Sequence, residues 1–184
     1  MKRLLDIFVS LIGGILCAPL LLIVVPLIRM GSEGNAMFSQ KRVGLNKREF
    51  NCYKLRSMKV GTSQVGTHEV SGSAVTGIGK FLRVTKIDEF PQLWNVLFGE
   101  MSLVGPRPCL PTQIDLIEER EKRGVFDVLP GITGLSQIEG IDMSDPVRLA
   151  TLDAEYLETA GFGLDLKILV WTVLGKGSGD RIAK

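Results

Sequence analysis

Two adjacent carboxylates, Asp88 and Glu89, stand at the expected start of a short apolar helix, and a Gly-Pro-Arg-Pro turn, Gly105 to Pro108, follows it. A helix start exposes unpaired N–H groups and the positive end of the helix dipole, so it favours carboxylates and phosphates. Thr85 with Asp88 three residues later is a weak capping-box pattern, because the box prefers Glu or Gln there. Pro91 removes one N–H, which costs least in a first turn and predicts a distorted one. Upstream, Lys54, Arg56 and Lys59 form a basic ladder. It is either a solvated face or a surface that meets lipid headgroups or a diphosphate. On these residues alone, Asp88 and Glu89 read first as ordinary first-turn acids, because acids are common there.

Other chemistries are poorly supplied. The single histidine, His68, lies in a polar, Gly-rich stretch, so His-centred catalysis and His-rich metal sites are not expected. Cys17, Cys52 and Cys109 are widely spaced and read as reduced intracellular residues. A net charge of +2 is too small to argue for nucleic acid.

The elements that would position these residues begin with a membrane segment. The chain has 184 residues and a mean hydropathy of +0.22, high for a soluble protein, with the excess at the N-terminus. Ile7 to Ile28 carries no charge, which by hydropathy is a transmembrane helix. A cleaved signal peptide fits less well. Pro19 interrupts the run and biases Ala18 away from helical geometry. The arm from Ile7 to Ala18 is about 18 Å long as helix, against a hydrocarbon core of about 30 Å. It can enter, bend at Ala18-Pro19 and return. Lys2 and Arg3 before the segment, and Arg29, Lys41, Arg42, Lys47 and Arg48 after it, place both ends in the cytoplasm by the positive-inside rule. A kinked spanning helix is the rival.

Beyond the segment, Ala36 to Gln40 and Glu49 to Met58 read as two short strands around a basic turn, Val43 to Arg48. Val60 to Thr76 reads as a mobile loop. Phe90, Leu93, Trp94, Leu97 and Phe98 give the next helix a wide apolar face, packed in the core by default and otherwise at the membrane interface. Gln113 to Arg123 is a charged surface helix ended by Gly124. Leu129 to Gly140 is a Gly-rich loop. Asp145-Pro146 starts a helix that ends at Ala160 with Gly161 as its cap. Leu166 to Leu174 is a final apolar helix, too short to span a bilayer and expected in the core.

In order along the chain, KRLLDI at Lys2 to Ile7, the proline-broken segment, FSQKRVG at Phe38 to Gly44, YKLRSM at Tyr53 to Met58, IDEFPQLWNVLFGEMSLVGPRP at Ile87 to Pro108, PGITGLSQ at Pro130 to Gln137, and LDAEYL with LDLKIL near the end make a specific set. Together they resemble the small monotopic phosphoglycosyl transferases, bacterial sugar transferases that start glycan assembly on a polyprenyl carrier. The resemblance implies an α+β, mainly helical fold. It has a re-entrant membrane helix at residues 1–30 and a small catalytic domain at 31–184 containing a short β-hairpin, on the cytoplasmic face of the bacterial inner membrane. It implies transfer of a sugar 1-phosphate from a UDP-sugar to polyprenyl (undecaprenyl) phosphate, with release of UMP. In that family pattern Asp88 is the nucleophile and carries a covalent phosphosugar. Asp88 and Glu89 together hold Mg²⁺, and Arg107 clamps phosphate. Lys54, Arg56 and Gln137 complete the expected substrate- and phosphate-binding set.

The chain departs from the pattern in places. Ala18-Pro19 replaces Ser-Pro at the membrane break, Leu129 replaces an Arg, and Glu139-Gly140-Ile141 replaces Asn-Gly-Arg. The missing cations bear on the donor's identity more than on the reaction. Two other functions compete: a membrane scaffold of a glycan pathway, and a hydrolase that opens the diphosphate with water.

Overall fold

The computed structural model describes residues 2–62 and 74–176. The stretch 63–73, which includes His68 and most of the expected Val60 to Thr76 loop, lies outside the described residues.

Helix α1 (Lys2–Gly31) is long and apolar enough to cross a membrane and leaves most of its side chains exposed. It passes through both Pro19 and Pro26 without ending. The expected helix-break-helix at Ala18-Pro19 is therefore corrected to one helix with two internal prolines. Proline removes one backbone bond and clashes with the preceding turn, which bends a helix more readily than it stops one when the surrounding residues are strongly apolar. Both ends of α1 dock on the rest of the chain. Near its start Asp6 and Ser10 are buried; near its end Val24 and Ile28 pack with Ala36, Leu55, Leu82 and Ile87.

Strands β1 (Met37–Val43) and β2 (Glu49–Leu55) form the expected antiparallel hairpin. The register pairs Gln40 with Cys52 and Arg42 with Phe50, so Arg42, Cys52 and Lys54 share one face. Helix α2 (Gly77–Thr85) follows, capped by the Thr76 hydroxyl, which accepts from Gly79 N–H at 3.0 Å. The Thr85 hydroxyl closes the end of α2 on Phe81 and Leu82 carbonyls; it does not cap the element after it, contrary to the capping-box expectation. Lys86, at φ 57°, reverses the chain into a 3-10 turn, Ile87–Glu89. Helix α3 (Gln92–Phe98) begins only after Pro91. The carboxylates thus sit on the separate turn before α3. Asn95, fully buried, ties α3 to β2: its Oδ1 accepts Tyr53 N–H at 3.1 Å and its Nδ2 donates to Asn51 carbonyl at 2.7 Å.

Two short strands went unread in the sequence. β3 (Ser102–Val104) pairs in parallel with β4 (Gly131–Thr133), and the Gly105 turn continues directly from β3. A Cβ on Gly131 would stand 2.1 Å from Gly105 N, so glycine is what allows the two segments to touch. Helix α4 (Ile114–Glu121) ends before Gly124, at φ 67°. Helix α5 (Leu135–Ile138) follows β4. Helix α6 (Pro146–Thr159) has Asp145 as its N-cap, as expected, with Oδ1 accepting from Arg148 N–H at 3.1 Å. Gly161 is not the left-handed cap of α6; it is extended, at φ −172°, and precedes helix α7 (Phe162–Val173).

The core gathers Cys52, Val96, Leu103, Val104, Ile138, Tyr156 and Ile168 from six elements, with Met101 from the connection between α3 and β3. Only part of each apolar helix reaches it. Trp94 and Phe98 of α3 remain exposed, as do Leu166, Val170 and Val173 of α7. Core packing, the default for both helices, therefore takes one side of each, and the other side of each is exposed apolar surface.

Candidate active site

One cavity of about 720 Å³ opens against α1. Asp88, Glu89, Arg107 and Gln137 all line it, so four of the six expected catalytic and binding residues come together. Its other wall is apolar: Val9, Gly13 and Cys17 from α1, with Phe90, Leu93 and Leu169.

Asp88 is 6% exposed and Glu89 partly buried. Glu89 Oε1 accepts from Lys54 Nζ at 3.1 Å and from Arg107 Nη2 at 3.2 Å. One carboxylate oxygen therefore draws a cation from the hairpin and a cation from the Gly105 turn to the same point. Lys54 reaches it because it shares a face of the hairpin with Arg42, which also lines the cavity. Arg107 is paired to a local acid, and that acid belongs to the site itself.

Arg56 is not part of this group. It is 8% exposed, and its guanidinium donates to the carbonyls of Ser32 at 2.8 Å, of Ile28 at 3.5 Å and of Glu33. It caps the carbonyl end of α1, where cationic side chains are favoured. The expected phosphate role for Arg56 is corrected to a structural one, since its guanidinium is turned to the main chain. Ala18 and Pro19 are exposed on α1 and lie outside the lining. Gln137 Nε2 donates to Ile132 carbonyl at 3.1 Å, while its Oε1 is buried with no hydrogen-bond partner among the described residues.

Residues that the sequence reading did not assign to the site also line the cavity: Arg42, Arg83, Lys86, Thr133 and Asp142. Lys86 was findable only from the backbone, because its left-handed conformation starts the turn that carries Asp88, two residues on. Ile141, one of the departures from the family pattern, lines the cavity and packs with Val43, Cys109, Phe126 and Leu149. Burial pushes the thiols of Cys52 and Cys109 above their ordinary range. Both stay protonated, which removes them as nucleophiles.

The donor set suits a hard cation. Asp88 and Glu89 offer adjacent carboxylates at the cavity, and among the described residues no cluster of three or more His, Cys, Asp or Glu forms around them. Mg²⁺ is commonly held by one or two carboxylates, with phosphate oxygens and water completing its shell.

A sequence profile described as bacterial sugar transferase matches residues 1–176. The chain is 39% identical, over 96% of its length, to a galactosyl transferase, CpsE, of Streptococcus agalactiae. It is 40% identical, over 94%, to an undecaprenyl-phosphate glucose phosphotransferase of Komagataeibacter xylinus. It is 38% identical, over 94%, to a UDP-glucose:undecaprenyl-phosphate glucose-1-phosphate transferase of Caulobacter vibrioides. The chain spans 43%, 35% and 68% of these three proteins respectively.

Proposed function

The chain belongs to the bacterial sugar transferase family, and from that premise we propose that it transfers a sugar 1-phosphate from a UDP-sugar to polyprenyl phosphate, releasing UMP. The observation that carries the reading is the cavity. It has acids and cations on one wall and the flank of an apolar helix on the other, which suits a site where a charged diphosphate meets a lipid phosphate.

Asp88 attacks the phosphorus bonded to the sugar. The bond from that phosphorus to the bridging oxygen breaks, and UMP leaves with the oxygen. A phosphate oxygen of the polyprenyl carrier then attacks the same phosphorus, the Asp88–phosphorus bond breaks, and the carboxylate is restored. A carboxylate is an adequate nucleophile at phosphorus once the charge around it is balanced. Arg107 helps balance it, because a guanidinium pairs two phosphate oxygens at once. Lys54 holds Glu89 at the edge of the site. Asp88 and Glu89 would hold Mg²⁺, which when bound would supply further neutralisation of the diphosphate.

The test is a panel of UDP-sugars given to the purified full chain with and without polyprenyl phosphate. Catalytic UMP release that requires the lipid is the expected result. Multiple turnovers without lipid would indicate a hydrolase, and no release from a broad panel would indicate a scaffold. EDTA should stop turnover and Mg²⁺ restore it; full activity after chelation would remove the metal.

Both ends of α1 dock on the same body. Lys2 Nζ lies 2.5 Å from Asp165 Oδ2 and Arg3 donates to Leu97 carbonyl at 3.3 Å, while Val24 and Ile28 pack beside Leu82 and Ile87. This supports a re-entrant course in which α1 dips into the cytoplasmic face of the inner membrane as one helix and keeps both of its ends on that side. Exposed Phe81, Val84, Trp94, Phe98, Val170 and Val173 are apolar enough to seat the body at the lipid surface. Lys2→Cys in a Cys-free background should react with an impermeant maleimide only after lysis. Labelling of intact cells would establish a spanning helix instead.

A further inference from the structure

The Gly105 turn is held at three consecutive carbonyls by three different elements. Pro106 carbonyl accepts from Gly131 N–H at 2.9 Å, Arg107 carbonyl from Arg120 Nη1 at 2.8 Å, and Pro108 carbonyl from Arg42 Nη1 at 3.1 Å. Prolines on both sides of Arg107 restrict φ at their own positions and extend the residues before them. The turn is thus a pedestal whose free choice of main-chain position has been removed.

Arg120 supplies the central hold, and it is itself fixed. It is 1% exposed on α4, with Nε 2.9 Å and Nη2 2.5 Å from Asp153 Oδ2 on α6. Asp153 Oδ1 accepts from the Ser136 hydroxyl at 3.0 Å, and Ser136 is the neighbour of Gln137 on α5. Hydrogen bonds through Arg120 and Asp153 therefore connect the cavity residue Arg107 to Ser136, and the main chain carries the connection on to Gln137. A buried ion pair adds little net stability over apolar residues of the same volume, so this one is better explained by what it positions.

We propose that Arg120 is a positioning residue for Arg107: its guanidinium, oriented by Asp153, sets the height of the Gly105 turn and so where the Arg107 side chain meets phosphate. This rests on the transferase reading only for the identity of the ligand. Lysine at this place can still pair with Asp153, but it lacks the planar fork that serves Asp153 and the Arg107 carbonyl in fixed directions.

The experiment compares Arg120→Lys with Leu116→Val or Leu116→Ala, whichever matches its loss in melting temperature. Leu116 is buried on the same helix and lies outside the cavity. Hydrogen exchange of the full chain in detergent should be at least about tenfold faster over residues 103–113 in Arg120→Lys than in the matched control. Exchange no faster than the control overturns the proposal, whether or not any UDP-sugar is turned over. Where turnover is found, a double-mutant cycle is the second arm. Arg120→Lys should cost about tenfold in kcat alone and less than about twofold in an Arg107→Ala background. Equal losses in both backgrounds overturn it. An absence of turnover in the unmodified chain counts against the transferase reading and leaves the exchange result standing. Ser136→Ala, a milder cut in the same network, provides the exchange measurement if Arg120→Lys does not fold.

Discussion

Among the clusters that join a carboxylate to a guanidinium, two are built to opposite ends. At the cavity, Glu89 shares one oxygen between Lys54 and Arg107, at 3.1 and 3.2 Å. Between α4 and α6, Asp153 takes two N–H groups of Arg120 on one oxygen and the Ser136 hydroxyl on the other. The first lines an open cavity with side chains 15–18% exposed; the second is sealed at 1–2%. A sealed pair must satisfy its members internally, since an unpaired buried charge is costly. A pair at a cavity can exchange partners with a ligand at little cost. Acids sealed away from the cavity should therefore answer to mutation in stability, and acids that line it, such as Glu89 and the buried Asp88, in turnover.

The widest separation of the two is expected at Asp88. Asp88→Asn should lower turnover on the order of a thousandfold or more, because the amide keeps the shape and loses the proposed nucleophile, while the melting temperature moves by about 2 °C or less. Retention of substantial activity in purified Asp88→Asn would remove Asp88 from the nucleophilic role. The converse is Asp153→Ala, which should cost about 3–5 kcal/mol of stability by leaving the Arg120 charge unpaired. Denaturant unfolding measures it, and a loss below about 1 kcal/mol would show that Arg120 finds another partner.

The contrast between the clusters also explains what the sequence could reveal. The hairpin, the Asp145-Pro146 helix start and the grouping of Asp88, Glu89, Arg107 and Gln137 were all legible, because turn chemistry, capping and motif order are local signals. The sealed cluster was not. Arg120 sits in a segment that reads as a charged surface helix, IDLIEERE, and nothing local distinguishes the one arginine turned inward. Strands β3 and β4 were hidden for a related reason. Three-residue strands carry no period, and their pairing depends on Gly131 meeting Gly105 across the fold. Arg56 misled because a basic ladder has the same composition whether it faces phosphate or caps a helix end.

Asp6 tests the rule at the membrane helix. It is 3% exposed; Oδ2 accepts from the Ser102 hydroxyl at 2.8 Å and Oδ1 from Leu103 N–H at 3.2 Å, so α1 grips the strand that leads to Arg107. Asp6→Asn turns one acceptor into a donor facing a donor. The expected loss is about 1–3 kcal/mol, measured by unfolding in detergent, with activity at saturating substrate falling less than in Asp88→Asn. A silent Asp6→Asn would mean that α1 is held by its apolar contacts alone.

The smallest expected effect lies at Tyr156, where a network buried at the phenol and open to solvent at Lys2 joins its carboxylate to an ammonium. Its hydroxyl donates to Asp165 Oδ1 at 2.7 Å and lies 3.3 Å from both Val104 carbonyl and Lys2 Nζ. Burial first, then the Asp165 carboxylate as hydrogen-bond partner and as charge, push the phenol well above its ordinary value of 10.0. The folded state therefore favours the protonated phenol. That contribution is fully present below about pH 10 and is lost as pH rises above it, because the unfolded chain then releases a proton that the folded chain retains. Tyr156→Phe should cost about 1 kcal/mol at neutral pH, the net worth of an ordinary buried hydrogen bond. It should also flatten the decline in stability above about pH 10, since one retained proton has been removed from the folded state. Chemical unfolding of both proteins at pH 8 and at pH 10.5 separates the two effects. If the gap between them stays constant across that range, the hydroxyl contributes packing and hydrogen bonding without a proton-linked term, and the Lys2–Asp165–Tyr156 network does not couple the start of α1 to alkaline unfolding.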